Sequence, residues 1–150
     1  YGRLKYQVPP RAVGLLDDIA IRLRDQAIGG LPGTTQLTDT NWTITKGFMP
    51  ADPDRCITLY ETGGFPPEVL PELAYPTFQV RLRSISTGYS TGREKLQAVE
   101  NALHGFASTT INGVYYVAIY AMSAAIPLGY DDEDRPLMAE NFRALRDRTT

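Results

Sequence analysis

Asp131-Asp132-Glu133-Asp134 is the densest group of chemically capable side chains in the sequence. Carboxylates grouped this way can hold a hard cation such as Mg²⁺ or Ca²⁺, which takes oxygen ligands. A metal-dependent hydrolase using Asp131, Asp132 and Asp134 is one function they would permit. An EF-hand is excluded by spacing. Counted from Asp131, the glycine position holds Pro136 and the bidentate glutamate position holds Phe142. The simpler reading is a solvated loop between two strands, with a charged contact surface as the functional alternative.

The other chemical candidates are weaker. Gly88-Tyr89-Ser90-Thr91-Gly92-Arg93 is one residue short of a phosphate-binding loop and carries Arg93 in place of its lysine. Thr91 with Glu94 fits a helix capping box better. His104 falls near a helix end, where a protonated imidazole would favour the dipole. No serine or cysteine with a companion acid stands in a recognisable pattern with it, so a catalytic triad is unsupported. Cys56 opens a strand and reads as a small core or edge residue. As the single cysteine it excludes an internal disulfide. Neither a cofactor nor a metal is expected.

Contact chemistry is better represented. Arg81 and Arg83 share one face of a strand with Gln79, either facing solvent or pairing with carboxylates of another subunit, for which the planar guanidinium is suited. Asp131–Asp134 of a neighbouring copy would be a fitting partner. The nine tyrosines include Tyr115, Tyr116 and Tyr120 on one strand, amphipathic rings that serve cores and interfaces alike. The loop Gly63–Pro76 is long, rich in Gly and Pro, and carries Phe65, Val69, Leu70, Leu73 and Tyr75. Long loops in compact domains are usually functional, and apolar side chains on one must fold back or dock elsewhere. Docking on another subunit is the expectation.

Several elements must position these residues. Ala12, Leu15, Leu16, Ile19, Ala20 and Leu23 recur at helical spacing, with Asp17, Asp18, Arg22, Arg24 and Asp25 opposite, ending at Gly29-Gly30. A strand near Trp42–Phe48 and the Cys56–Thr62 strand flank a Pro50–Asp54 turn, which predicts a hairpin. Phe78, Val80 and Leu82 alternate with Gln79, Arg81 and Arg83. A second helix runs to about Leu103 and stops at Gly105. Asn112-Gly113 signals a tight turn before Val114–Ser123, which is apolar on both faces and should be central. Leu137–Arg146 suits either period, with the helical one slightly favoured by periodicity alone. The order describes an α+β domain: a mostly antiparallel sheet of about five strands with two helices packed on one face.

The sequence has 150 residues, enough for one domain spanning residues 1–150, with 1–10 as an N-terminal arm. Hydrophobic residues make up 43% and charged residues 21%, which argues against wholesale disorder. A net charge of −2 lacks the basic excess of proteins that grip nucleic acid through phosphates. No apolar run approaches a membrane span of about 18 residues, and Tyr1–Pro10 lacks a signal-peptide core.

The order strand, Gly63-Gly64-Phe65-Pro66-Pro67, long loop, Pro76-Thr77-Phe78-Gln79-Val80-Arg81-Leu82-Arg83 resembles the neck proteins of long-tailed bacteriophages, filed as minor capsid or tail terminator proteins. The resemblance continues through Tyr89, Leu96, Val99, Leu103 and Gly105. It then takes in Pro127-Leu128-Gly129-Tyr130-Asp131, Arg135 and Glu140-Asn141-Phe142-Arg143, covering Cys56 to Arg146. It favours a strand over Leu137–Arg146. It implies a structural virion protein rather than an enzyme, assembled in the bacterial host cytoplasm into a homo-hexameric ring at the top of the tail. Its partners would be the major tail tube protein and a head-completion protein, with DNA passing through unbound. A head-side adaptor or stopper is the neighbouring alternative, and a regulatory binding domain with no virion role a remoter one.

Overall fold

The computed structural model describes residues 14–31, 42–64 and 73–147. The N-terminal arm, and Phe65, Val69 and Leu70 of the long loop, lie outside the described residues.

Helix α1 (Leu15–Asp25) buries Leu15, Ile19, Ala20 and Leu23, the face its spacing marks as apolar. Its end is a surprise in residue type. Ala27 adopts φ 60°, its N–H bonds to the Arg24 carbonyl, and the Ile28 N–H bonds back to the Leu23 carbonyl. That is a Schellman stop with alanine where glycine is usual, and Ile28, just past it, joins the same buried core as Leu23. Helix α2 (Tyr89–Leu103) begins one turn earlier than its supposed capping box. Gly88 is the cap and no side chain closes the end, so Thr91 and Glu94 sit inside the helix. Gly92 lets α2 approach the sheet: a Cβ there would lie 2.9 Å from Ser84 Cβ and 3.1 Å from Met138 Cε.

The strands are β1 (Thr43–Lys46), β2 (Cys56–Glu61), β3 (Leu73–Ala74), β4 (Thr77–Arg83), β5 (Phe106–Ile111), β6 (Val114–Ala121), β7 (Ile126–Tyr130) and β8 (Pro136–Asp147). They form one eight-stranded mixed sheet in the order β1-β2-β4-β8-β6-β5, with β3 and β7 also paired to β8. The expected strand over Leu137–Arg146 is therefore the longest and the spine of the sheet. The expected hairpin at Pro50–Asp54 is not one. β1 pairs parallel to β2, Thr43 opposite Cys56, because residues 47–55 carry the chain back along the sheet before β2 starts. The other strand pairs are antiparallel. Asn112 (φ 53°) and Gly113 (φ 82°) make the tight β5–β6 turn as expected. β6 is flanked by β5 and β8, but Tyr115 is 42% exposed, so it is not covered on both faces.

Both helices pack on one face. Leu15, Ile19 and Leu23 of α1 and Leu96, Val99 and Leu103 of α2 share a core with Ile57, Leu59, Phe78, Val80, Leu82 and Phe142. Phe78 and Phe142, paired across β4 and β8, stack with ring centroids 5.4 Å apart. Burying each such side chain contributes roughly 1.5–3 kcal/mol. The opposite face carries no helix among the described residues.

Candidate assembly interface

Alternation in β2, β4, β6 and β8 sends Tyr60, Gln79, Arg81, Tyr120, Asn141 and Arg143 to the uncovered face. All six are half-buried. The Gln79 amide donates to Asn141 Oδ1 at 3.1 Å, and Arg81 Nη2 donates to Gln79 Oε1 at 2.9 Å. The Arg81 guanidinium lies 5.1 Å from the Tyr60 ring centre, and that of Arg143 4.9 Å from Tyr120, whose hydroxyl accepts from Arg143. The result is a row of fixed donors across four strands. Arg81 has no carboxylate within ion-pair distance among the described residues.

Arg83 does not join that row. It is 4% exposed and donates to the backbone carbonyls of Asp54 (3.0 Å), Pro53 (2.7 Å) and Ala51 (3.3 Å). Its guanidinium is spent clipping the β1–β2 connection to the end of β4, which removes it from the expected contact surface. Burial, reinforced by neighbouring Arg135, lowers its pKa. Arg135, 6% exposed, holds the same connection from the other side, donating to Ala51 O at 2.8 Å and Asp54 Oδ1 at 2.9 Å.

The acidic run is the β7–β8 turn, and its members separate. Asp131 faces inward, its Oδ1 accepting the N–H groups of Glu133 (2.9 Å) and Arg135 (3.0 Å), and its Oδ2 accepting Arg135 Nε at 2.8 Å. Burial pushes the Asp131 carboxyl up, but these bonds outweigh it and hold the pKa below the ordinary value. Asp131 is thus a brace of the turn, while Asp132, Glu133 and Asp134 are exposed at its tip. Among the described residues no three His, Cys, Asp or Glu side chains are grouped to hold a metal ion.

The sequence pattern missed β7. Every residue of it is exposed, including Ile126 (36%), Leu128 (42%) and Tyr130 (59%), with Met122 (52%) just before it. Leu73 and Tyr75, at the returning end of the long loop, are half-buried, and β3 adds Leu73 and Ala74 to β8 opposite Asp147 and Arg146.

Two buried clusters hold the helices to the sheet. Asp18, expected on the solvent face of α1, is 1% exposed. It accepts from Tyr116 OH at 2.6 Å and Asn112 Nδ2 at 3.2 Å, and lies 3.6 Å from Arg146 Nη1. Burial and the bond to Asp18 raise the Tyr116 pKa, which keeps it a donor. Under α2, Glu140 is fully buried and neither carboxyl oxygen has a hydrogen-bond partner among the described residues. Burial and adjacent Glu100 raise its pKa to about 8, so it is held protonated at neutral pH. His104 Nδ1 accepts the Ala121 N–H at 2.9 Å, tying the end of α2 to β6 in place of the expected dipole contact. Cys56 is fully buried.

The family model described as bacteriophage tail terminator protein matches residues 9–148. Among solved structures, a chain of the virion of the native gene transfer agent (GTA) particle superimposes with a TM-score of 0.67 at 18% identity. The match covers 91% of this chain and 96% of that one, a similarity of fold. No curated protein sequence matches.

Proposed function

The chain belongs to the bacteriophage tail terminator family, and on that premise we propose that it closes the top of the tail tube as a ring. As a virion structural protein it assembles with other tail or head components. In this reading its copies form a homo-hexamer through heterologous contacts that close. One face of the ring occupies the polymerising surface of the last tube ring, and the other offers a new surface to a head-completion protein. DNA passes along the axis, and a chain with net charge −2 carries little general attraction for its phosphates. Assembly takes place in the host cytoplasm, and the single domain is the ring's unit.

One observation carries the proposal beyond family membership: among the described residues, much contact-grade surface has no element packed over it. The helix-free face presents an ordered arginine–tyrosine row, and β7 exposes apolar residues along its whole length. Soluble chains seldom leave contiguous apolar surface open unless something covers it. Electron microscopy of virions carrying a tagged copy tests the position. Density in contact with the uppermost tube ring is expected. Density on the head side only would make the protein a stopper and overturn the terminator reading.

A further inference from the structure

We propose that the β7–β8 hairpin of one copy docks against the uncovered sheet face of the next, with Asp132 and Asp134 meeting Arg81. The inference rests on the ring reading above and names the contact that would close the ring.

The two surfaces are complementary in charge and both are fixed in advance. Asp132 and Asp134 form no ion pair among the described residues, and Arg81 faces no carboxylate. No acidic side chain stands on that face along Thr77–Arg83 or from Leu137 to Leu145. Arg81 is half-buried and makes one side-chain hydrogen bond among the described residues, from Nη2 to Gln79, so the guanidinium retains open donor capacity while Gln79 and Tyr60 hold its plane. A guanidinium held this way suits carboxylate oxygens.

The hairpin tip is equally rigid. Asp131 ties down the turn through two backbone N–H groups, and buried Arg135 anchors it to Asp54 and the Ala51 carbonyl. Little backbone freedom of the turn remains to be lost on docking, which favours association. Leu128 and Tyr130 stand beside the tip and would leave water in the same contact. Tip and row are different surfaces of one chain, and in the proposed ring each interface uses one tip and one row, a heterologous contact; a reciprocal pairing of the two would close a two-fold dimer instead.

Charge reversal of the full-length chain, read by mass in solution over a range of concentrations, tests this. Arg81→Glu alone and Asp132→Arg/Asp134→Arg alone are each expected to reduce the ring to monomer. Mixing the two proteins should restore it, because alternating copies then pair every tip with an opposite face. A circular-dichroism spectrum like the wild type's, with a cooperative melt, confirms that the fold of each variant is intact. Variants that keep the full ring mass, or a mixture that stays monomeric, overturn this contact and leave the ring reading standing. A wild-type chain that is monomeric throughout overturns the ring itself.

Discussion

Removing the charge of Asp18 should expose how much of the fold depends on one buried ion pair. Asp18 and Arg146 are 1% and 0% exposed, 3.6 Å apart, and tie α1 to the spine of the sheet. Asp18→Asn keeps the volume and an acceptor for Tyr116 OH, but leaves a guanidinium buried with no counter-charge. Breaking a buried pair from one side typically costs about 3–5 kcal/mol. Among the described residues Arg146 Nε and Nη2 already lack hydrogen-bond partners, which leaves the Tyr116 hydroxyl, accepting from Nη1 at 3.2 Å, to hold the guanidinium. Domains of this kind are stable by roughly 5–15 kcal/mol, so the variant should be marginal. Urea denaturation followed by circular dichroism measures it, with an unchanged slope confirming a native-state effect.

A second variant separates charge from packing. Asp18→Leu with Arg146→Met removes both charges together, and apolar replacement of a whole buried pair is often neutral or stabilising. Tyr116 and Asn112 would each lose an acceptor, which costs about 1–3 kcal/mol per unsatisfied group. The double variant should therefore be no worse than Asp18→Asn. A loss below about 1 kcal/mol for Asp18→Asn would refute the argument, because such a value fits a solvated pair.

Glu140→Gln should remove a pH dependence of stability. The folded pKa of about 8 lies above the ordinary value of 4.5, so the contribution of Glu140 to stability is full below pH 4.5 and is lost as pH rises through 8. The slope is at most about 1.4 kcal/mol per pH unit, and a wild-type curve parallel to the variant's would contradict the assignment. Gly92→Val should destabilise by about 1–3 kcal/mol through overpacking against Ser84 and Met138, and thermal melting would show an unchanged midpoint if α2 had room to spare. Arg83→Met frees three carbonyls of the β1–β2 connection, so the Thr43 N–H, which bonds to the Arg55 carbonyl at the end of that connection, should exchange hydrogen faster. Unchanged protection there would contradict its role as a clip.

Much of the scaffold is legible in local pattern, because α1, α2, β2 and β4 each carry their period within a few residues. β6 shows as a continuous apolar run, while β8, which suits either period, reads as a strand only through the family resemblance. β7 and β5 are not legible in this way. Ile126-Pro127-Leu128-Gly129-Tyr130 contains Pro and Gly and looks like a turn, and only pairing with β8 makes it a strand. Phe106–Ile111 breaks its alternation at Ser108, which sits at φ 49°. The parallel β1–β2 pair is hidden because the connection is long enough to return either way, and the arginines that settle it lie far along the chain. Arg83 reaches back 29 residues to Asp54, and Asp18 meets Tyr116 across 98. Such partners turn residues that read as solvent-facing into core. For the contact surface, the Arg81 row was visible in the alternation of β4. Tyr60, Tyr120 and Arg143 emerge only once β2, β6 and β8 are laid beside it.

Tail lengths measured by electron microscopy in lysates of a phage lacking this protein test the terminator role most directly. Tails of irregular, extended length that fail to join heads are predicted. Tails of uniform normal length, joined to filled heads, would contradict the account.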